Sequence, residues 1–353
     1  MRSPTDLLTS TTRGAVPVQS RLSALGSNPV GRFAKRREMA LVLALLACAV
    51  IFSAHSTTFV SFDNVRNILN SVAIVALVAV GEMLVVLARQ IDLSVGSQIG
   101  LVAYVVSDVL HHSPGMGVPG ALALGAALGL GLGAVNGLIV VIADVPAIIA
   151  TLGTLYVYQG IDFLVAGGNT IDASQVPQGF LSFTTTHALL LPPPVLLVLG
   201  LAVLAAYALR STPFGRDLFA IGSNPDAARL VGIRRGRRIF AAFAICGVVC
   251  GVAGVLWGSY FGTVTADSAN GFELTVVAVV VVGGVNIFGG SGSVLGVLLA
   301  ALLYGAIDNG LALLNVSQFW LQAITGAAIL AAVTLDTSFR RRARAALQRG
   351  SAA

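Results

Sequence analysis

Apolar residues run through this chain in blocks near 20 residues long, broken by short polar or glycine-rich stretches. Gly120–Ile142 and Pro192–Leu209 are two of the clearest blocks. At a helical rise of about 1.5 Å per residue, such blocks match the roughly 30 Å hydrocarbon thickness of a bilayer. Backbone groups in hydrocarbon must be paired within the segment, so the pattern predicts membrane-spanning helices. The reading gives ten spans at 39–58, 65–88, 95–112, 119–142, 146–166, 190–209, 239–262, 272–287, 293–313 and 319–336. The eighth is short and closely followed by Gly283, Gly284, Gly289, Gly290 and Gly292, which predicts a broken or half-spanning helix.

Glycine is ordered within this pattern. Gly125, Gly129, Gly133 and Gly137 recur every four residues in the fourth span and share one helix face, where a second backbone can come close. Gly247, Gly251, Gly254, Gly258 and Gly262 do the same in the seventh, and both faces read as packing surfaces. Two polar interruptions, 91–100 (IDLSVGSQIG) and 287–296 (IFGGSGSVLG), share Ile, Gly, Ser and Gly at matching offsets. Irregular backbone at membrane depth has to be buried in protein or line a wet cavity, so both are candidates for a transport path.

Composition closes off the soluble alternative. Of 353 residues, 56% are hydrophobic and only 10% charged, far fewer charges than a soluble domain of this size needs. The fold class expected is an all-α polytopic membrane protein. The formal charge of +6 arises from cations confined to a few places: seven in 1–38, seven in 210–238 and five in 340–349. Confinement of this kind is the positive-inside pattern, so these three segments and both termini are expected in the cytoplasm. The even span counts between them, six and then four, agree. The pattern also sets nucleic acid aside as a partner and leaves membrane lipid. The organisation expected is a basic, disordered tail at 1–38, a transmembrane domain at 39–336 containing a loop at 210–238, and a second basic tail at 337–353. The N-terminal stretch has no apolar core before a cleavage site, so it does not read as a signal peptide.

The chemistry expected is conduction. The sequence contains no phosphate-binding G-x-x-x-x-G-K-[ST], no H-E-x-x-H and no C-x-x-C, so neither a catalytic nor a metal site is assigned. His111-His112 reads as a solvated loop pair, and the cysteines, among them Cys246 and Cys250 on one helix face, as small buried side chains. Polar and ionisable groups within spans or in the buried interruptions are costly, so they are candidates for the pathway: Glu82, Asp92, Ser94, Asn136, Gln159, Asp162, Glu273, Asn286, Asp308 and Asn309. For each carboxyl a purely structural role stays open beside the functional one.

The loop 210–238 predicts a short helix beginning at Pro225. Ser223 or Asn224 caps it, Asp226 complements its dipole and Gly232 closes it. Its apolar Ala227, Ala228, Leu230 and Val231 make it too small to stand alone in water, so it needs a partner surface.

Here the chain resembles a family. Residues 214–233 look like the cytoplasmic coupling loop of the ABC-importer permeases for ribose, xylose, galactose and related sugars. The resemblance continues at 91–97, 133–138, 145–153, 289–296, 309–311 and 319–320, and covers about 60–336. It implies that Phe214, Gly215, Arg216, Gly222, Asn224, Pro225, Ala227, Ala228, Arg229 and Gly232 form the element that couples to an ATPase. It also implies a second permease subunit (the same chain or a related one), cytoplasmic ABC ATPase subunits that carry ATP and Mg, and an extracytoplasmic sugar-binding protein. This chain itself would hold no cofactor and hydrolyse nothing. Permeases for a branched-chain amino acid or another small polar metabolite, and an ion-coupled secondary transporter, stay open as alternatives.

Overall fold

The computed structural model describes residues 29–186, 191–317, 319–320, 322–324 and 326–327. The long helices are α1 (Pro29–His55), α2 (Phe62–Leu87), α3 (Val95–His112), α4 (Gly117–Ile142) and α5 (Ala147–Ala166). A four-residue α6 (Gln178–Leu181) lies in the connection to α7 (Pro193–Ser211). The short α8 (Pro213–Ser223) and α9 (Pro225–Leu230) follow, then α10 (Arg235–Phe261), α11 (Phe272–Val282) and α12 (Val294–Leu313). Among the described residues no strand forms; one isolated bridge joins Ile171 and Val264.

Helix boundaries follow local chemistry. Ser61 caps α2 by accepting from the Asn64 amide, with Asp63 in the first turn. Ser293 caps α12 through the Gly296 amide. Left-handed Gly167 and Gly262 end α5 and α10.

Seven helices among the described residues are long and apolar enough to cross a membrane: the Arg37–His55 part of α1, α2, α4, α5, α7, α10 and α12. The expected count of ten is not confirmed among the described residues. The third expected span is the 18-residue α3, which is mostly interior. The eighth, read as 272–287, is an 11-residue helix that stops at Val282, because a glycine-rich turn takes over at Gly283 and Gly284. The expected span 319–336 falls largely outside the described residues, as does the tail at 337–353. Helix α1 begins at Pro29, ahead of the expected span start at 39, and its membrane-compatible part begins at Arg37. Arg37 donates to the Val281 carbonyl (2.7 Å), and the Ser293 hydroxyl donates to Glu38 (2.6 Å).

Helices α2 and α10 form the centre of the bundle, with most of their side chains buried. The two glycine faces meet each other. A Cβ on Gly133 would strike the Phe243 carbonyl and lie 2.8 Å from Gly247 Cα; one on Gly129 would lie 2.7 Å from the Gly251 amide. Farther along α10, a Cβ on Gly254 would lie 2.8 Å from the Ile99 carbonyl, so α3 rests on the same helix. Backbone meets backbone along this seam because no side chain stands between.

Candidate functional site

Three clusters gather most of the polar groups singled out in the sequence. The first surrounds the turn between α2 and α3. That turn is irregular backbone inside the bundle, and side chains from neighbouring helices satisfy it. Glu82, in the last turns of α2, accepts from the Asp92 amide (3.0 Å), and Thr151 of α5 accepts from the Leu93 amide (3.1 Å). Asp92 accepts from the Ser94 amide (2.9 Å), the Ser94 hydroxyl (2.6 Å), the Gln98 amide (3.1 Å) and the Asn136 amide (3.2 Å). Asn136 also donates to Ser94 Oγ (2.7 Å). Tyr158 OH lies 3.1 Å from Asn136 Oδ1 and 2.8 Å from the Leu132 carbonyl. Glu82, Asp92, Ser94, Gln98 and Asn136 are all fully buried, and the one unpartnered atom among them is Gln98 Oε1. The structure thus brings together Glu82, Asp92, Ser94 and Asn136 as a closed knot that joins α2, α3, α4 and α5. Sequence reasoning missed Gln98, Thr151 and Tyr158 as its other members. The available signal was Gln98, one helical turn beyond Ser94 on the same face.

The second cluster lies where the start of α3, the far half of α5 and the head of α11 converge. Ser97, Leu155, Gln159, Asp162, Ala266, Ser268, Asn270 and Glu273 line a cavity of about 10 Å³, counted as the room open to a water centre. That is about the space of one water. Glycines let the walls approach: a Cβ on Gly100 would sit 3.3 Å from Asp162 Oδ2, and one on Gly96 would strike Glu273. Asp162 is 2% exposed, and its Oδ1 has no hydrogen-bond partner. Gln159, Asp162 and Glu273 are brought together here, apart from the knot.

The remaining pathway candidates lie outside both of these clusters. Asn286 folds its own turn, donating to the Gly289 carbonyl (2.7 Å) and accepting from the Phe288 amide (3.0 Å). Asn309 pairs reciprocally with Asn64 of α2 at 2.8 and 3.0 Å. Asp308 is half-buried on α12 in neither cluster. His111 and His112 are exposed, and no metal-binding group of three or more side chains occurs among the described residues.

The third cluster is the α8–α9 corner. Thr212 caps α8 through the Gly215 amide with Pro213 in the first turn, and Asn224 caps α9 by accepting from Asp226 and Ala227 (3.1 and 3.0 Å). Ser223 instead ends α8. Gly232, at φ 81°, turns the chain out of α9 toward α10. Gly215 sits against the backbone of Leu209 and Ala208, which makes the bend from α7 tight. Phe214 is half-buried; Arg216 and Arg229 are exposed. The apolar residues of α9 divide: Ala228 is buried within this chain, whereas Ala227, Leu230 and Val231 face outward, with Leu230 88% exposed.

Gly222, at the root of this corner, meets the end of α2 and the second polar interruption at once. A Cβ there would strike the Leu87 carbonyl and the Gly290 amide and lie 2.9 Å from Gly289 C. The Gly290 amide itself donates to the Leu87 carbonyl (3.1 Å). The end of α2 and the 287–296 segment therefore lie side by side against α8.

The family described as the permease component of the branched-chain amino acid transport system matches residues 64–333. The chain is 36% identical over 307 residues to the autoinducer 2 import system permease protein LsrC of Enterobacter sp. (strain 638), covering 87% of this chain and 88% of that one. The LsrC protein of Klebsiella pneumoniae subsp. pneumoniae is 35% identical over 87% of this chain and 88% of its own. That of Yersinia pseudotuberculosis is 34% identical over 86% of each. No solved structure matches the chain. Helices fit to cross a membrane and the match over nearly the whole bundle lead to one conclusion: the chain belongs to this family and is a multi-pass permease of an ABC importer.

Proposed function

We propose that this permease carries a sugar or a similarly polyhydroxylated small molecule inward, drawing motion from ATPase subunits that dock on its α8–α9 corner. ATP and Mg belong to those subunits, and a second permease subunit and an extracytoplasmic binding protein complete the transporter. The relatives named for autoinducer 2 import support this substrate class over the amino acid in the family's description. The corner and both tails lie in the cytoplasm on this reading, in line with the confined cations of 1–38, 210–238 and 340–349.

The observation that carries the reading is the two-sided character of the corner. One side offers Ala227, Leu230 and Val231 outward, on a helix too short to hold itself in water. The other side ends at Gly222, in backbone contact with the end of α2 and the turn that precedes α12. A displacement of the corner by a partner thus reaches the end of α2 and the turn before α12 through backbone contacts.

Leu230→Glu tests this. Leu230 packs on little in its own chain, so the permease should insert and fold. A central apolar anchor of an interface is worth 2 kcal/mol or more, so ATPase binding should weaken at least about tenfold and uptake should fall with it. Normal ATPase retention and normal uptake would remove α9 as the coupling element.

A further inference from the structure

We propose that the cavity bounded by Gln159, Asp162 and Glu273 is a subsite for hydroxyl groups of a neutral substrate, with Asp162 as its main acceptor. The inference deepens the functional reading above and rests on it. It starts from the pairing of buried polar groups. A carboxyl taken out of water needs donors, and nearly all buried polar atoms in folded proteins have a partner. Asp92 has four donors around it; Asp162, 2% exposed, has Oδ1 with none. Gln159, on the same wall one turn earlier, also makes no hydrogen bond among the described residues. Two side chains that could each satisfy a partner face one cavity with none supplied by the chain.

The lining selects the chemistry of the ligand. It contains two carboxyls and no Lys, Arg or His. A sugar hydroxyl donates to a carboxylate, and the Gln159 amide can donate to a ring or hydroxyl oxygen in return. A free amino acid brings its own carboxylate, which would meet like charge here with no cation to receive it. A phosphorylated sugar meets the same obstacle.

The cavity has room for about one water, so a sugar ring enters only when a wall withdraws. The wall built for that is residues 262–271. It lies between Gly262 (φ 70°) and Gly271 (φ 80°), and Ala269 within it holds φ 60°, a region costly for a residue with a Cβ. Two backbone bonds between Ile171 and Val264 (3.0 and 2.9 Å) hold its near end.

The test uses the complete transporter in proteoliposomes with its ATPase and binding protein. Uptake of labelled autoinducer 2, D-ribose and L-leucine is compared for the wild type and Asp162→Asn, with assembly followed by size-exclusion chromatography. The wild type should move a polyhydroxylated compound and not leucine. Asp162→Asn should assemble and lose at least about tenfold in maximal uptake, the scale of one charge-assisted hydrogen bond. Unchanged uptake by an assembled Asp162→Asn transporter would overturn the subsite and leave the functional reading standing. If that variant does not assemble, Gln159→Leu carries the test: a similar fall is expected, and unchanged uptake overturns the proposal. Wild-type transport of leucine alone, or of none of the three, would overturn the substrate class and the subsite with it.

Discussion

Asp92 and Asp162 are both aspartates buried among helices in the same bundle, yet their surroundings differ in kind. Around Asp92 the chain supplies donors from its own turn, from α3 and from α4. Around Asp162 it supplies none to Oδ1, and a cavity stands beside it. A buried polar group in a membrane protein is therefore not by itself a sign of transport. What sets Asp162 apart is an unmade hydrogen bond with a cavity beside it.

Substitutions around the knot can break or sharpen this contrast. The largest effect is expected for Gly133→Leu, which pushes α4, and Asn136 with it, away from α10. The obstructing atoms are backbone and cannot turn aside, so the cost should be about 4 kcal/mol or more, read as loss of folded protein on thermal unfolding in detergent. A stable Gly133→Leu protein with lost uptake would make the seam part of the pathway instead. Asp92→Ala should come next, at roughly 3 kcal/mol, since it leaves several buried donors unpaired. A transport defect without lost stability would erase the distinction between the two aspartates. Glu82→Gln should be the mildest, under about 1 kcal/mol, because the amide oxygen can still accept from the Asp92 backbone. A large transport defect from that change would give Glu82 a role beyond holding the turn.

Much of the architecture could be read from the chain. Long apolar blocks mark the crossing helices, the shortness of 272–287 and its trailing glycines anticipate the curtailed α11, and the glycine spacings of α4 and α10 mark their common seam. Asn224, Pro225 and Gly232 announce α9 because capping is local chemistry. What could not be read depends on groups far apart in sequence. Tyr158 reaches Asn136, and Asn64 finds Asn309, only after the helices are placed, and nothing in either local pattern names the partner. The inward turn of Ala228 is hidden for another reason. A six-residue helix is too short for its periodicity to say which of its small residues faces home.

The bonds from Arg37 to Val281 and from Ser293 to Glu38 bear on the order in which the protein is made. Their partners stand 244 and 255 positions apart, and the Asn64–Asn309 pair 245 apart. At about 5–20 residues per second, a ribosome needs something like 12–50 seconds to travel that distance. Through that interval α1 and α2 sit in the bilayer with these polar groups waiting on helices not yet synthesised. The Arg37 bond can form once α11 is made, but those of Glu38 and Asn64 must wait for α12, so a chain released before then would lack them.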